Sequence, residues 1–263
     1  MSGPAYETIA VDTRGTARWI TLSRPRVHNA MNSQCIRECR HAVEEAGADP
    51  AVRSIVFTGA GDRAFTAGAD ISEMVAYGPN EMLAYNRGWL GLFRDIEMCR
   101  KPVIAVVHGW ATGGGTELSL ACDFVLCSDD ARFGLAEINI GVIPGAGAAV
   151  RLTRWLGRLK AKELLMLGRL VEGREAVDLY LANRCVPPAD LRDAAQALAD
   201  ELGAKAPLAL GAAKASVNVG ADSGFDAALE YELQEFLRLF ATADQKEGMR
   251  AFLEKRNPIY HGM

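Results

Sequence analysis

The chain has 263 residues, 49% of them apolar and 24% charged, which is enough to bury a sizeable core within one extended domain. A net charge of -4 argues against broad binding to nucleic acid or anionic membranes, and no stretch approaches the roughly 18 apolar residues of a membrane span. With a start, Met1 to Thr8, that lacks a basic region followed by an apolar core, a cytoplasmic protein is expected.

Short apolar runs near 7–12 and 16–22 read as the first strands, and Arg24-Pro25-Arg26-Val27-His28-Asn29-Ala30-Met31 reads as a turn after them. A helix follows over Cys35 to Ala48, carrying Arg37 and Arg40 but also Glu38, Glu44 and Glu45. Cys35, Cys39 and His41 do not form a metal site, because His41 lies about 200° around the helix from Cys39. The six cysteines, lacking paired CxxC spacings, read as reduced and mostly buried.

The next strand, 53–58, runs into a glycine turn, Phe65-Thr66-Ala67-Gly68-Ala69-Asp70-Ile71. After the Gly78-Pro79 break, Met82, Tyr85, Trp89 and Phe93 recur at helical spacing, a stripe that is usually core. A buried strand at 102–107 then leads into Gly113-Gly114-Gly115-Thr116-Glu117 and a helix over Leu118 to Cys122. One more strand is expected at 123–127, completing an α/β pattern. From Ala189 onward the pattern is almost wholly helical, and Phe225, Leu229, Leu233, Phe236, Leu237 and Phe240 form an apolar face.

The chemistry concentrates at two glutamates. Glycines at a strand-to-helix turn let the backbone approach a ligand, and the first amides of a helix have no intrahelical partner, so they can bind developing negative charge. Glu117, three residues beyond Gly114, shares that face. The plainer reading is a tight turn whose glutamate complements the helix dipole. Glu137 lies in Phe133-Gly134-Leu135-Ala136-Glu137-Ile138-Asn139-Ile140-Gly141, where apolar neighbours disfavour the charged form. The alternative for Glu137 is a carboxylate paired with Arg132 or Arg151.

With two glycine turns and these glutamates, the chain resembles the enoyl-CoA hydratase/isomerase family, also called the crotonase superfamily, from about Thr8 to the C-terminus. The resemblance implies a spiral of ββα turns, a core over 1–195 carrying the CoA and catalytic sites, and a C-terminal helical trimerisation region over 196–263, with trimers that commonly pair into hexamers. It places the oxyanion hole at the amides of Ala69 and Gly114, each contributing about 3 kcal/mol or more. Both acid/base positions hold glutamate, as in true hydratases: Glu117 to orient and deprotonate water, Glu137 to exchange the α-carbon proton of a 2-enoyl-CoA.

The same resemblance puts the CoA carrier across Arg24 to Met31, with Arg26 at a phosphate and His28 beside it. Ala67, Asp70 and Ile71 would hold the adenine through backbone groups, and Phe252 and Lys255 of the last helix would touch CoA. No metal or redox cofactor is implied beyond this carrier. Met74 and Tyr77 would line the acyl pocket, with Trp110 either narrowing it or packing beneath it. Where relatives often continue Gly-Thr-Gln after Ile143 to Gly147, this chain has Ala148-Ala149-Val150. Enoyl-CoA isomerisation, acyl-CoA hydrolysis and, more remotely, RNA binding are the competing readings.

Overall fold

The computed structural model describes residues 6–263, so part of the expected leader-free start, Met1 to Ala5, lies outside the described residues. The chain opens with β1 (Ile9–Arg14), β2 (Ala17–Leu22), α1 (Ser33–Ala48), β3 (Ser54–Gly59), β4 (Ala64–Thr66), α2 (Ile71–Met74) and α3 (Pro79–Met98). It continues through β5 (Val103–Val107), β6 (Trp110–Thr112), α4 (Gly114–Ala121), β7 (Phe124–Ser128), β8 (Arg132–Gly134), α5 (Ala148–Leu167) and β9 (Leu170–Glu172). The rest is α6 (Gly173–Asp178), β10 (Arg184–Val186), α7 (Leu191–Gly203), α8 (Pro207–Asp222), α9 (Phe225–Leu239) and α10 (Ala243–Glu254).

Three consecutive ββα units generate the spiral. The first strands of the pairs β3/β4, β5/β6 and β7/β8 join a sheet ordered β1-β2-β3-β5-β7-β10, while the second strands join a smaller sheet ordered β4-β6-β8-β9. β1 and β2 pair antiparallel, as do β8 and β9, and the other pairings are parallel. The three-residue strands of the smaller sheet escape a sequence reading because they are too short to carry a period.

Parallel strands covered on both faces read as continuous apolar runs, and alternation then divides them between two cores. Ile55, Phe57, Val103, Ala105 and Val107 join the larger core under α1, α3 and α4. Val56, Ile104 and Val106 face the other way, against Leu191, Ala195 and Ala199 of α7. The indole of Trp19 adds a donor to Gln196 Oε1 at 3.0 Å, which fixes α7 on that face. The expected boundary between 195 and 196 thus falls inside α7, which packs on the sheet. Truncating Trp19 to alanine would cost about 3–5 kcal/mol.

The helical C-terminal region is present as expected. The apolar stripe of α9 stays outward within the single chain, with Phe225 77%, Phe236 54% and Leu237 52% exposed. Among the described residues no helix is long and apolar enough to cross a membrane. The cysteines are free thiols, with Cys35, Cys39 and Cys127 buried.

Candidate active site

The two glycine turns abut. Gly68 has φ +84°, a left-handed conformation that favours glycine, and a Cβ there would strike the Thr112 carbonyl and stand 2.8 Å from the Gly114 amide nitrogen. Parallel bridging with Met31 seats the first turn, through Met31 N–H to Gly68 O at 2.7 Å and Asp70 N–H to Met31 O at 3.1 Å. Between those two bonds, the Ala69 amide has no acceptor among the described residues. Gly114 begins α4, so its amide also lacks an intrahelical acceptor. The Trp89 ring closes against it, at 2.8 Å from where a Gly114 Cβ would lie. Two unengaged amides thus lie on adjoining turns behind an apolar wall.

Glu117 is buried, 3% exposed, on the first turns of α4. Its Oε1 accepts from the Ala146 amide at 3.0 Å and the Ala148 amide at 2.9 Å. Burial raises its pKa, opposed by those two amides and by the charge of Arg151. Donation from the 146–148 loop, rather than helix-dipole complementation alone, is what holds the carboxylate.

Glu137 has the opposite support. It opens a 3-10 turn over Glu137–Ile140, and its Oε1 lies 3.0 Å from where a Gly113 Cβ would sit. Oε2 is buried with no hydrogen-bond partner among the described residues. Burial, reinforced by the nearby Glu117 charge and opposed by its own backbone amide, pushes its pKa up to about 7. The ion-pair alternatives do not occur: Arg151 pairs with Glu97, and Arg132 stacks 5.2 Å from the Trp110 ring centre. Trp110 itself is 36% exposed, with the Arg132 guanidinium over its ring.

Thr116 joins the glutamate supports, and sequence reasoning passed over it. Its hydroxyl donates to the Ala111 carbonyl at 2.6 Å and accepts from the Gly134 amide at 3.1 Å. The Gly113 amide donates to the Gly134 carbonyl at 2.7 Å. The strand leading to Glu137 is thereby stitched to the helix carrying Glu117. Asn29, also missed, is buried with φ +56°. Its side chain donates to the carbonyls of Ala60 and Ala64, and its carbonyl accepts from Thr66. The signal available in sequence was only a lone asparagine in a turn.

The residues expected at the carrier divide into two groups. Arg26 and His28 are exposed on the Pro25–Val27 turn, and Arg26 has no ion-pair partner among the described residues. The Ala67 amide donates to the His28 carbonyl at 2.9 Å, and its carbonyl accepts from Thr112 at 3.1 Å. The Asp70 carboxylate caps α2 by accepting from Ser72, and it pairs with Arg24 at 2.8 Å. Arg24 and Asp70 thus serve the loop itself, while Ile71 is 55% exposed beside it. Phe252, 82% exposed, and Lys255, which caps α10 in left-handed backbone, make no hydrogen bond to the glutamate site.

On α3, the aromatic stripe is core, as the plain reading expects: Tyr85, Trp89 and Phe93 are buried. Tyr85 donates to the Met31 carbonyl at 2.7 Å, and Tyr77 donates to Glu73 at 3.0 Å. Met74 and Tyr77 are partly buried against the same cluster.

Residues 13–263 match the family model described as enoyl-CoA hydratase/isomerase. Relatives include a short-chain-enoyl-CoA hydratase of Clostridium acetobutylicum, 38% identical over 94% of this chain and 95% of that protein. A probable enoyl-CoA hydratase of Rhizobium meliloti is 42% identical over 96% of this chain and 97% of its own length. The crystal structure of enoyl-CoA hydratase from Bacillus anthracis superposes with a TM-score of 0.94 at 34% identity, covering 98% of this chain and 100% of that one. The chain therefore belongs to the enoyl-CoA hydratase/isomerase family.

Proposed function

We propose that the protein is an enoyl-CoA hydratase, a hydro-lyase that adds water reversibly across the α,β double bond of a 2-enoyl-CoA to give a 3-hydroxyacyl-CoA. The observation that carries this reading is the pair of unlike carboxylates, Glu117 fixed by two amides and Glu137 with an unpartnered oxygen, flanking one glycine turn. In this reading the thioester carbonyl accepts from the Ala69 and Gly114 amides. Glu117 takes a proton from water as its oxygen bonds to the β-carbon, the double-bond electrons move onto the carbonyl oxygen, and Glu137 delivers a proton to the α-carbon of the enolate.

Atoms balance with one water added. The active pair carries one proton in total, initially on Glu137 and afterwards on Glu117. Solvent exchange resets it. No electron acceptor or metal enters these steps. A general acid or base at such a site is worth about 10²–10⁴ in rate.

Arg26 is the proposed phosphate contact, since a guanidinium fork can donate twice to phosphate oxygens. His28 and the 67–71 loop border that path, and Phe252 and Lys255 are assigned to CoA of the same or a neighbouring subunit. Packing of the exposed α9 stripe between subunits would form a homotrimer or a hexamer. A cytoplasmic location completes the reading. On α1, Arg40 already pairs with Asp95 at 2.6 Å and the exposed Arg37 stands among Glu38, Glu44 and Glu45, a mixed charge that offers little to RNA.

The test is to incubate purified protein with short, branched and cyclic 2-enoyl-CoA thioesters and identify products by mass. Gain of one water supports the proposal and ranks the acyl groups. An isomer of unchanged mass, or free CoA with a carboxylic acid, would replace it with isomerisation or hydrolysis.

A further inference from the structure

The loop that grips Glu117 is itself held by two side chains that reach neither carboxylate. The Ala146 and Ala148 amides converge on one oxygen because Gly147, between them, takes φ +109°. The carbonyl of Ala146 points the other way and accepts from Arg151 Nη1 at 3.0 Å. Arg151 is 17% exposed at its side chain, is anchored by Glu97 through Nε at 2.9 Å and through Nη2, and lies with its guanidinium carbon 5.6 Å from the Phe93 ring centre. It also fills the space beside Gly147, where a Cβ would collide with Nη1. From α3, Asn86 Nδ2 donates to the Gly145 carbonyl at 2.7 Å.

We infer that Arg151 and Asn86 are positioning residues for hydration, clamping successive carbonyls of the 145–148 loop so that its amides hold Glu117 toward the attacking water. The Gly145 carbonyl, tied to α3, shares a peptide plane with the Ala146 amide, so that amide cannot turn off the carboxylate without breaking the Asn86 bond. The Ala146 carbonyl, tied to Arg151 of α5, holds the next peptide plane, which links the two donating amides. Their effect passes through Glu117 and not through Glu137, whose carboxylate neither residue touches. This rests on Glu117 being the group that works on water. A small displacement of such a group lowers turnover far more than binding, by up to about a hundredfold for 1 Å.

The test compares two reactions of the same protein: hydration of crotonyl-CoA, and exchange of the α-hydrogens of butyryl-CoA with D2O, which needs the oxyanion hole and Glu137 but no attacking water. Arg151→Met is expected to lower the hydration kcat about ten- to a hundredfold with KM within about threefold, while exchange stays within about twofold of the parent. Asn86→Ala should do the same about three- to tenfold, and Arg151→Lys should recover part of the Arg151→Met loss. Should Arg151→Met fail to fold, Asn86→Ala and Arg151→Lys decide.

Hydration kept within about twofold in the folded variants, or hydration and exchange lost in parallel, would overturn the inference. Glu117→Gln separates the layers. If it leaves hydration intact, the functional reading falls; if it abolishes hydration while the clamp variants do not, only the positioning role falls.

Discussion

Glu117 and Glu137 flank one glycine turn, yet their surroundings differ in the property that matters for proton transfer. Glu117 is the more buried, but two amides and a neighbouring arginine favour its charged form against desolvation. Glu137 is only half-buried, but with an unpartnered oxygen and a like charge nearby its pKa rises to about 7. Burial alone would rank them the wrong way round. What separates the acid from the base is the supply of hydrogen-bond donors.

The comparison breaks most completely if either carboxyl is neutralised. Glu117→Gln and Glu137→Gln should each lower the hydration kcat by about 10³ or more, with crotonyl-CoA KM changing only a few-fold, as steady-state kinetics would show. Near-parental turnover in both would end the two-glutamate mechanism. A blow to what the two glutamates share comes next. Gly68→Ala places a methyl against Thr112 O and the Gly114 amide in backbone at φ +84°, so it should cost about 1–3 kcal/mol in stability by urea titration and depress turnover. Unchanged stability and rate would mean the two turns do not need their close approach.

A finer probe is pH. Hydration takes up no net proton, so forward and reverse kcat/KM must share one profile, and a pair carrying one proton gives a bell. Its falling limb should lie near pH 7, where Glu137 ionises. A rate still climbing well above that pH would contradict the assignment. The smallest effect is on stability. Because the folded pKa of Glu137 is raised from 4.5 to about 7, its contribution is fully present below 4.5 and is lost as pH rises through 7. Relative to Glu137→Gln, the parent should lose stability over that window by urea midpoints, and parallel curves would place Glu137 in a more solvated setting.

Much of this contrast was legible in sequence, though unequally. The longer strands, the α3 stripe and both glycine turns are local patterns, and local patterns survive in a linear reading; of the apolar neighbours expected around Glu137, Phe133 and Leu135 are buried while Ile138 and Ile140 are exposed. The donors to Glu117 lie 29 and 31 residues downstream, in a stretch noted only for having Ala148-Ala149-Val150 where relatives often have polar residues. Their contribution is backbone amides, which no side-chain pattern announces. The contact of Trp110 was hidden for a similar reason: a three-residue strand gives no period from which to judge its face, and its Arg132 partner is a cross-strand neighbour. Asp70 and Arg24 pair across the abutting loops, a long-range contact that draws both toward holding the turn. Of the expected site, Ala69, Gly114, Glu117 and Glu137 converge around the adjoining turns, while the helix bearing Phe252 and Lys255 makes no hydrogen bond to the glutamates.

The division of labour is most directly tested by α-hydrogen exchange of butyryl-CoA in D2O, followed by mass, with the parent, Glu117→Gln and Glu137→Gln. A saturated thioester cannot be hydrated, so the readout isolates proton transfer at the α-carbon from activation of water. Exchange that persists in Glu117→Gln and disappears in Glu137→Gln is the expected result. Exchange that disappears in Glu117→Gln and persists in Glu137→Gln would contradict the account and reverse the two roles.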